Sequence, residues 1–181
     1  MNIEQELDVL YNHMLRLAAA HCTDGLQSME AEYIAVMRDL IAVGPANPVV
    51  VELGMRHGIS TIALIHGAAA NGGIVHSIDI DEACGRILPE GLPFQFHCMD
   101  SVKAASELGL NPNYVLVDSD HTYEYTRDEI SAWWPVLEPG GLMFFHDSYK
   151  VGGVWKAILE SGIPVAKHYE EKNNLVVCKK P

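Results

Sequence analysis

The apolar positions of the chain follow two different periods, and segments of the two kinds alternate. Ile3, Leu7, Leu10, Met14 and Leu17 step by four, three, four and three. That spacing makes one stripe of an amphipathic helix running to about Ala20. His21-Cys22-Thr23-Asp24-Gly25 interrupts it, and a second helix is predicted with Ser28 as its cap and Ile34, Met37, Leu40 and Ile41 on its inner face. Gly44-Pro45 stops that helix. Val49-Val50-Val51 then forms an apolar run without alternation, which suits a strand covered on both faces. Glycines turn the chain at positions 54 and 58, and Ile59 to Ile65 resumes a helical period.

Four more strands are expected over Gly73–Asp79, Pro93–His97, Asn113–Asp118 and Leu142–Asp147. A short helix is expected to begin at Asp81-Glu82, a second to span Ser101 to Leu108, and a long one to run from Thr122 or Tyr123 to Leu137. Val151 to Glu160 reads as a last helix, followed by strands at Pro164–Lys167 and Leu175–Lys179. The polar segment from Glu170 to Asn174 between them is too short for a crossover helix, so this pair is expected to be antiparallel. Alternating strands and helices predict an α/β fold with a doubly wound, mostly parallel sheet. The simplest parse is a single domain, with residues 1–46 a helical extension and residues 47–181 the sheet domain. The two N-terminal helices either cover the sheet or its edge, or the first of them caps the active site or pairs with a second subunit.

Composition narrows the partners. The chain has 181 residues, of which 49% are hydrophobic, enough for a sizeable core. Lys and Arg number 12 against 24 Asp and Glu, a net charge of −12. Phosphate contacts need a basic face, so no nucleic-acid partner is expected, nor an anionic membrane surface. No apolar run approaches a membrane span, and the acidic start Met1-Asn2-Ile3-Glu4 lacks the basic region of a signal peptide. Cys22, Cys84, Cys98 and Cys178 are scattered and form no Cys-x-x-Cys pair. They read as reduced thiols of a cytoplasmic protein.

The candidate chemistry gathers where strands end: Glu52, Asp79, Asp100, Asp118, His146 and Asp147. Strand ends on one edge of a parallel sheet converge in space. One acid after a strand is as well explained by a helix cap, but the full set points to a ligand crevice. The loop between the first strand and its helix reads Glu52-x-Gly54-x-x-x-Gly58-x-Ser60. A nicotinamide fingerprint, Gly-x-Gly-x-x-Gly, is more closely spaced and has a third glycine that is missing here.

This loop resembles the first motif of class I S-adenosylmethionine-dependent methyltransferases, and the resemblance extends over about residues 47 to 180. It implies a Rossmann-like seven-stranded sheet with the last strand reversed, and S-adenosyl-L-methionine as cofactor. Glu52, Gly54, Met55, Gly58 and Ser60 would then bind the methionine part of the cofactor, Asp79 and Ile80 its ribose, Asp100 and Ser101 its adenine, with Asp118 beside it. Pro139-Gly140-Gly141 matches the family's turn before the fifth strand. The segments Val117-Asp118-Ser119-Asp120-His121-Thr122-Tyr123-Glu124 and Gly140 to Asp147 resemble a small subgroup related to macrolide and other sugar O-methyltransferases. The second segment is also similar to catechol-type enzymes that hold a divalent metal. That likeness implies Asp118 and Asp147 as Mg²⁺ ligands, with Ser148 or Asp120 as weaker candidates; Ser148 stands where the catechol-type enzymes have Asn. His121, Asp118 and His146 are the implied catalytic residues, with His121 as the base and His146 competing for that role.

The implied reaction is metal-assisted O-methylation of a small acceptor such as a sugar. Two other readings stay open: a nucleotide-binding oxidoreductase, and a non-catalytic cofactor-binding protein of the same fold. The redox reading lacks a Tyr-x-x-x-Lys or cysteine-based catalytic pair. His121 and His146 could instead brace a helix or a strand. His57 reads as a solvated loop residue, and Trp133 and Trp134 as packing for their helix. The short chain has no long insertion to form a lid, so either the N-terminal helices or a second subunit is expected to cover the acceptor.

Overall fold

The computed structural model describes residues 3–20, 27–148, 152–169 and 175–181. Helices α1 (Ile3–Ala20) and α2 (Gln27–Ala42) precede β1 (Val49–Leu53), α3 (Ile59–Ala69), β2 (Ile74–Asp79), a 3₁₀ turn (Glu82–Arg86) and β3 (Phe94–Cys98). Then come α4 (Ser101–Glu107), β4 (Tyr114–Val117), α5 (Tyr123–Trp133), β5 (Leu142–Phe145), α6 (Gly152–Ser161), β6 (Val165–Tyr169) and β7 (Leu175–Lys179). The strands form a seven-stranded sheet in the order β3-β2-β1-β4-β5-β7-β6. β7 runs antiparallel to both its neighbours, and the other described pairings are parallel. This is the predicted α/β architecture with its reversed last strand.

Several predicted bounds differ, among them β5, which ends at Phe145, and β6, which reaches Tyr169. Ser28 lies inside α2 rather than capping it. α5 ends at Trp133, four residues before the predicted end: Trp134 keeps helical angles and donates to the Ile130 carbonyl, but Pro135 has no N–H to continue the ladder. β3 begins at Phe94 and reaches Cys98, one residue further along than expected. Cys22 and the loop from Glu170 to Asn174 lie outside the described residues. Among the described cysteines, Cys84, Cys98 and Cys178 are free thiols.

Both faces of the sheet are covered. One core cluster joins Leu7, Tyr11, Tyr33, Ile34, Met37 and Ile41 of the N-terminal helices to α3 and to Val50, Val75, Leu116 and Phe144 of the sheet. The other packs Ile130, Trp133, Val154 and Ile158 against Val51, Val115, Met143 and Phe145. Trp133 is fully buried, as its packing role predicts, and its Nε1–H donates to the Ser101 carbonyl at 2.8 Å. No described helix is long and apolar enough to cross a membrane.

Successive crossovers carry the chain from β1 through β2 to β3 in one direction, and from β4 to β5 in the other. The carboxyl ends of β1 and β4 therefore flank the point where the winding reverses, which is where such a sheet opens a crevice. A buried carboxyl pins this point. Glu52 has no exposed surface, and it accepts hydrogen bonds from Ser60 Oγ (2.6 Å), Thr61 Oγ1 (2.7 Å) and Ser77 Oγ (2.5 Å). The first two donors open α3 and the third lies on β2, so one side chain ties β1, β2 and α3 together.

Burial pushes the Glu52 carboxyl up to about 7, with the three hydroxyl donors opposing the rise. The folded chain therefore keeps this proton from the ordinary value of 4.5 up to about 7, where the unfolded chain has lost it. The resulting stabilisation is present at acid pH, falls as pH rises through that window and is gone above it. In Glu52→Gln this loss is removed. The stability of the variant relative to wild type should improve by up to about 3 kcal/mol between roughly pH 5 and 8. Urea denaturation at both pH values measures it, and an equal gap at the two would show that Glu52 does not titrate there.

Candidate functional site

A cavity of about 1190 Å³ opens at the carboxyl ends of the strands. Its floor begins with the glycine loop. Gly54 has φ of 91°, and a Cβ there would come within 2.4 Å of the Asp118 carbonyl oxygen, so only glycine lets the β1 loop pass this close to the end of β4. Gly58, with φ of 72°, precedes α3 at its N-cap and supplies no side-chain cap. The loop is held from the side by Asp79, the last residue of β2. Asp79 Oδ2 accepts the backbone N–H groups of Met55 and Arg56, each at 3.0 Å, and Oδ1 accepts that of Asp81 at 3.0 Å. Burial raises the Asp79 pKa, but these N–H donors outweigh it and hold the carboxyl below the usual carboxylate range. It stays ionised, with acceptor capacity left for a ligand.

The next strand ends supply the adjoining wall. Asp100 caps α4 through Oδ1, which accepts the Lys103 N–H, while Oδ2 accepts the Tyr125 hydroxyl at 2.8 Å. The Lys103 N–H is the main cause that holds this carboxyl low. Ser101, Ser119, Met99, Ile78 and the outward-facing Ile80 complete that side. α2 contributes to the wall as well: Tyr33, Ile34 and Met37 reach the cavity. It is therefore the second N-terminal helix, among the described residues, that borders the site.

At the far end a cluster forms around Asp118. Its Oδ1 pairs with His146 Nδ1 at 2.9 Å and with His121 Nε2 at 3.3 Å. Asp147 Oδ2 lies 3.9 Å from the same His121 nitrogen and 3.7 Å from the same His146 nitrogen. Asp147 has φ of 49°, a left-handed conformation that Asp tolerates better than most residues. Burial works to raise the Asp118 pKa, but the attraction of His146 and the hydrogen bonds from His121 and His146 leave it below the usual range. The hydrogen bond to Asp118 in turn raises His121. The ring of Tyr33 meets that of His146 edge-on, with centroids 5.8 Å apart.

The strand-end residues expected from the sequence thus converge, with three exceptions. Glu52 and Ser148 are fully buried and do not line the cavity. Glu52 is paired in register with Ser77 and Leu116 inside the sheet, so it braces the loop from below. Ser148 is absent from the lining, and the donor atoms that cluster belong to Asp118, His121 and His146, all within 4.8 Å of one another. Gly58 also stands outside the lining, and its contribution is the turn into α3. His57 is exposed as expected, yet it does border the cavity. Sequence reasoning missed Tyr33, Ser119 and Tyr125. Tyr33 directly precedes Ile34 of the inner stripe of α2, which was the available signal.

Carboxylates set the charge of the lining: it contains Asp79, Asp100, Asp118, Asp120 and Asp147 against a single Arg or Lys, Arg56, among the described residues. Such a cavity favours a ligand with positive charge and hydroxyl donors over a polyanion.

Comparison with known proteins agrees with this geometry. Residues 51–148 match the family model described as a methyltransferase domain. No curated protein matches the chain. Among solved structures, the MycE methyltransferase of the mycinamycin biosynthetic pathway, in complex with Mg and SAH, is 15% identical with a TM-score of 0.60. That alignment covers 82% of this chain and 48% of MycE, so the chain spans about half the length of that protein. The N-methyltransferase NodS from Bradyrhizobium japonicum is 17% identical with a TM-score of 0.63, over 88% of this chain and 99% of NodS. A fibrillarin pre-rRNA processing protein of Methanococcus jannaschii is 16% identical with a TM-score of 0.58, over 75% and 67% of the two chains. At these identities the likeness is one of fold. With the family model matching more than half of its residues, the chain belongs to the methyltransferase domain family, on the fold of class I S-adenosylmethionine-dependent methyltransferases.

Proposed function

We propose that the protein transfers a methyl group from S-adenosylmethionine to a hydroxyl oxygen of a small acceptor such as a sugar. The observation that carries this reading is the Asp118 cluster, which sets two imidazoles and a second carboxylate at one end of the cavity, with the glycine loop and the Asp79 carboxylate in the same cavity. The cofactor's sulfonium supplies the electrophilic methyl, and the chain has three tasks left: bind, align and deprotonate. Asp79 offers a carboxylate to the ribose hydroxyls while fixing the loop beneath the cofactor. Tyr33, Ile34 and Met37 give the acceptor an apolar wall that keeps water off the reacting face.

His121 is the base in this reading. With its Nε2–H donated to Asp118, its Nδ1 is the acceptor of the hydroxyl proton. S-adenosylmethionine, when bound, would give its methyl to the oxygen and be left as a neutral thioether, and His121 would keep the proton lost by the hydroxyl. Asp118 orients the imidazole and stabilises the imidazolium that results. His146, held by the same oxygen, supports Asp118 in that position. Asp118 and Asp147, whose Oδ2 lies 3.7–3.9 Å from the two imidazole nitrogens that share Asp118 Oδ1, would hold a hard divalent cation such as Mg²⁺ through their carboxylates. When bound there it would act as a Lewis acid on the acceptor hydroxyl. The carboxylate-lined cavity argues for a small neutral or cationic acceptor over nucleic acid, although fibrillarin shares the fold.

The direct test is transfer of labelled methyl from S-adenosylmethionine across a panel of hydroxyl and amine acceptors, with Mg²⁺ or chelator present. Methylation of amines alone would overturn the O-methyl reading. Turnover unaffected by chelator would remove the metal. In calorimetry, Asp79→Ala should weaken cofactor binding by about 1.5–3 kcal/mol with the circular dichroism spectrum unchanged. His121→Ala should lower kcat by about 10²–10⁴ while leaving cofactor affinity intact, and Asp147→Ala should abolish any stimulation by metal.

A further inference from the structure

A second buried carboxyl lies behind the cavity wall, and the reaction above does not use it. Glu129 sits on the inward stripe of α5 with Thr126, Ile130 and Trp133, and none of its surface is exposed. Its Oε1 accepts hydrogen bonds from Ser101 Oγ and from Ser119 Oγ, both at 2.5 Å. The two serines follow β3 and β4, strands that the sheet separates by β2 and β1, and both line the cavity. One carboxyl oxygen therefore joins the start of α4 to the loop after β4. Tyr125, on the same helix, donates its hydroxyl hydrogen to Asp100 Oδ2, and its oxygen, 3.1 Å from Ser101 Oγ, is a second and longer acceptor for that serine.

The other oxygen, Glu129 Oε2, is buried without a hydrogen-bond partner among the described residues. Leaving a carboxyl oxygen unpaired in the interior is unfavourable, and packing alone would be served better by an apolar side chain. Burial accordingly pushes Glu129 up to about 7, against the pull of its two serine donors and with Asp120 and Asp100 adding to the rise. As a carboxylate, or as an acid with its proton on Oε2, Glu129 leaves Oε1 as an acceptor for both serines.

A hydroxyl has one hydrogen and two lone pairs. Once Ser101 and Ser119 give their hydrogens to Glu129, each oxygen meets a ligand as an acceptor. We infer that Glu129 is a positioning residue for the cofactor's base: it turns Ser101 and Ser119 into acceptors along the cavity wall, which selects a ring edge bearing an amino group over one bearing a carbonyl. The inference rests on the S-adenosylmethionine reading, and Glu129 acts through the serines rather than by touching the ligand.

The test is calorimetric affinity for S-adenosylhomocysteine and for its inosine counterpart, in which the ring amino group is replaced by a carbonyl. Wild type should prefer the adenosyl form by about tenfold or more, the discrimination expected when a mismatched edge leaves site groups unpaired. Glu129→Met removes the acceptor for the Ser119 hydrogen and leaves Ser101 with the Tyr125 oxygen alone, and the preference should fall at least about threefold. Glu129→Gln keeps a carbonyl oxygen in the same place and should restore most of it. Ser119→Ala, which leaves α5 untouched, should lower the preference as well and serves if Glu129→Met does not fold. A purely structural role would shift the melting temperature and weaken both ligands alike. A preference ratio unchanged in Glu129→Met, or in Ser119→Ala, overturns the inference while wild-type binding of the adenosyl form leaves the methyltransferase reading standing. Wild type that binds neither ligand removes both.

Discussion

The buried carboxyl of Glu52 is the constraint on which the rest of the site depends. The helix after the glycine loop begins at Gly58, which has no side chain to cap it. Glu52 anchors that turn from below through side-chain hydroxyls, not through the backbone N–H groups a cap would take. It takes the hydroxyls of Ser60 and Thr61 in the first turn of α3 and that of Ser77 on the neighbouring strand. An acid near a helix N-terminus also meets favourable backbone dipoles. The arrangement frees the loop to be glycine where close approach to Asp118 demands it, because the anchoring is done one layer deeper. The cost is a carboxyl held out of water, visible in the rise of its pKa to about 7.

The same device recurs around the cavity. Asp79, Asp100 and Glu129 each take hydrogens from neighbouring loops, by backbone N–H in the first case, N–H and hydroxyl in the second and hydroxyl alone in the third. Asp118 does so with two imidazoles. Acidic side chains thus serve two ends: they stitch together the loops at the ends of β1, β2, β3 and β4, and they leave the cavity negatively charged. The two consequences are linked. Loops rich in free N–H groups at a parallel sheet edge call for acceptors, and acceptors in that place set the charge of whatever is bound there.

Much of this was legible in one dimension. The absence of alternation in Val49-Val50-Val51 and the alternation of strand and helix periods determine a parallel, doubly covered sheet, because a helix-period segment between two strands leaves few other arrangements. The short polar segment before Leu175 determines an antiparallel last pair. Acids at strand ends mark the binding edge, since all parallel strands present that edge together. The end of α5 is legible too, because Pro135 interrupts the apolar pattern that runs on to Leu137. The single Glu in the inner stripe of α5 was a further signal, because a lone charged residue at a core position needs partners.

Depth and partnership were decided only in three dimensions. Glu52 and Asp79 look alike in the sequence, each an acid at the end of an apolar run. Register separates them: Glu52 lies between Ser77 and Leu116 inside the sheet, whereas Asp79 is the last residue of its strand and reaches the cavity. Asp118, one residue beyond β4, stands where two histidines from separate segments share one of its oxygens. The wall contributed by Tyr33, Ile34 and Met37 depends on how α2 packs across α3 and the sheet, which the stripe alone does not specify. Periodicity is a property of a segment and survives in the sequence; which strand end meets which helix, and at what depth, follows from pairing register and packing between segments far apart in the chain.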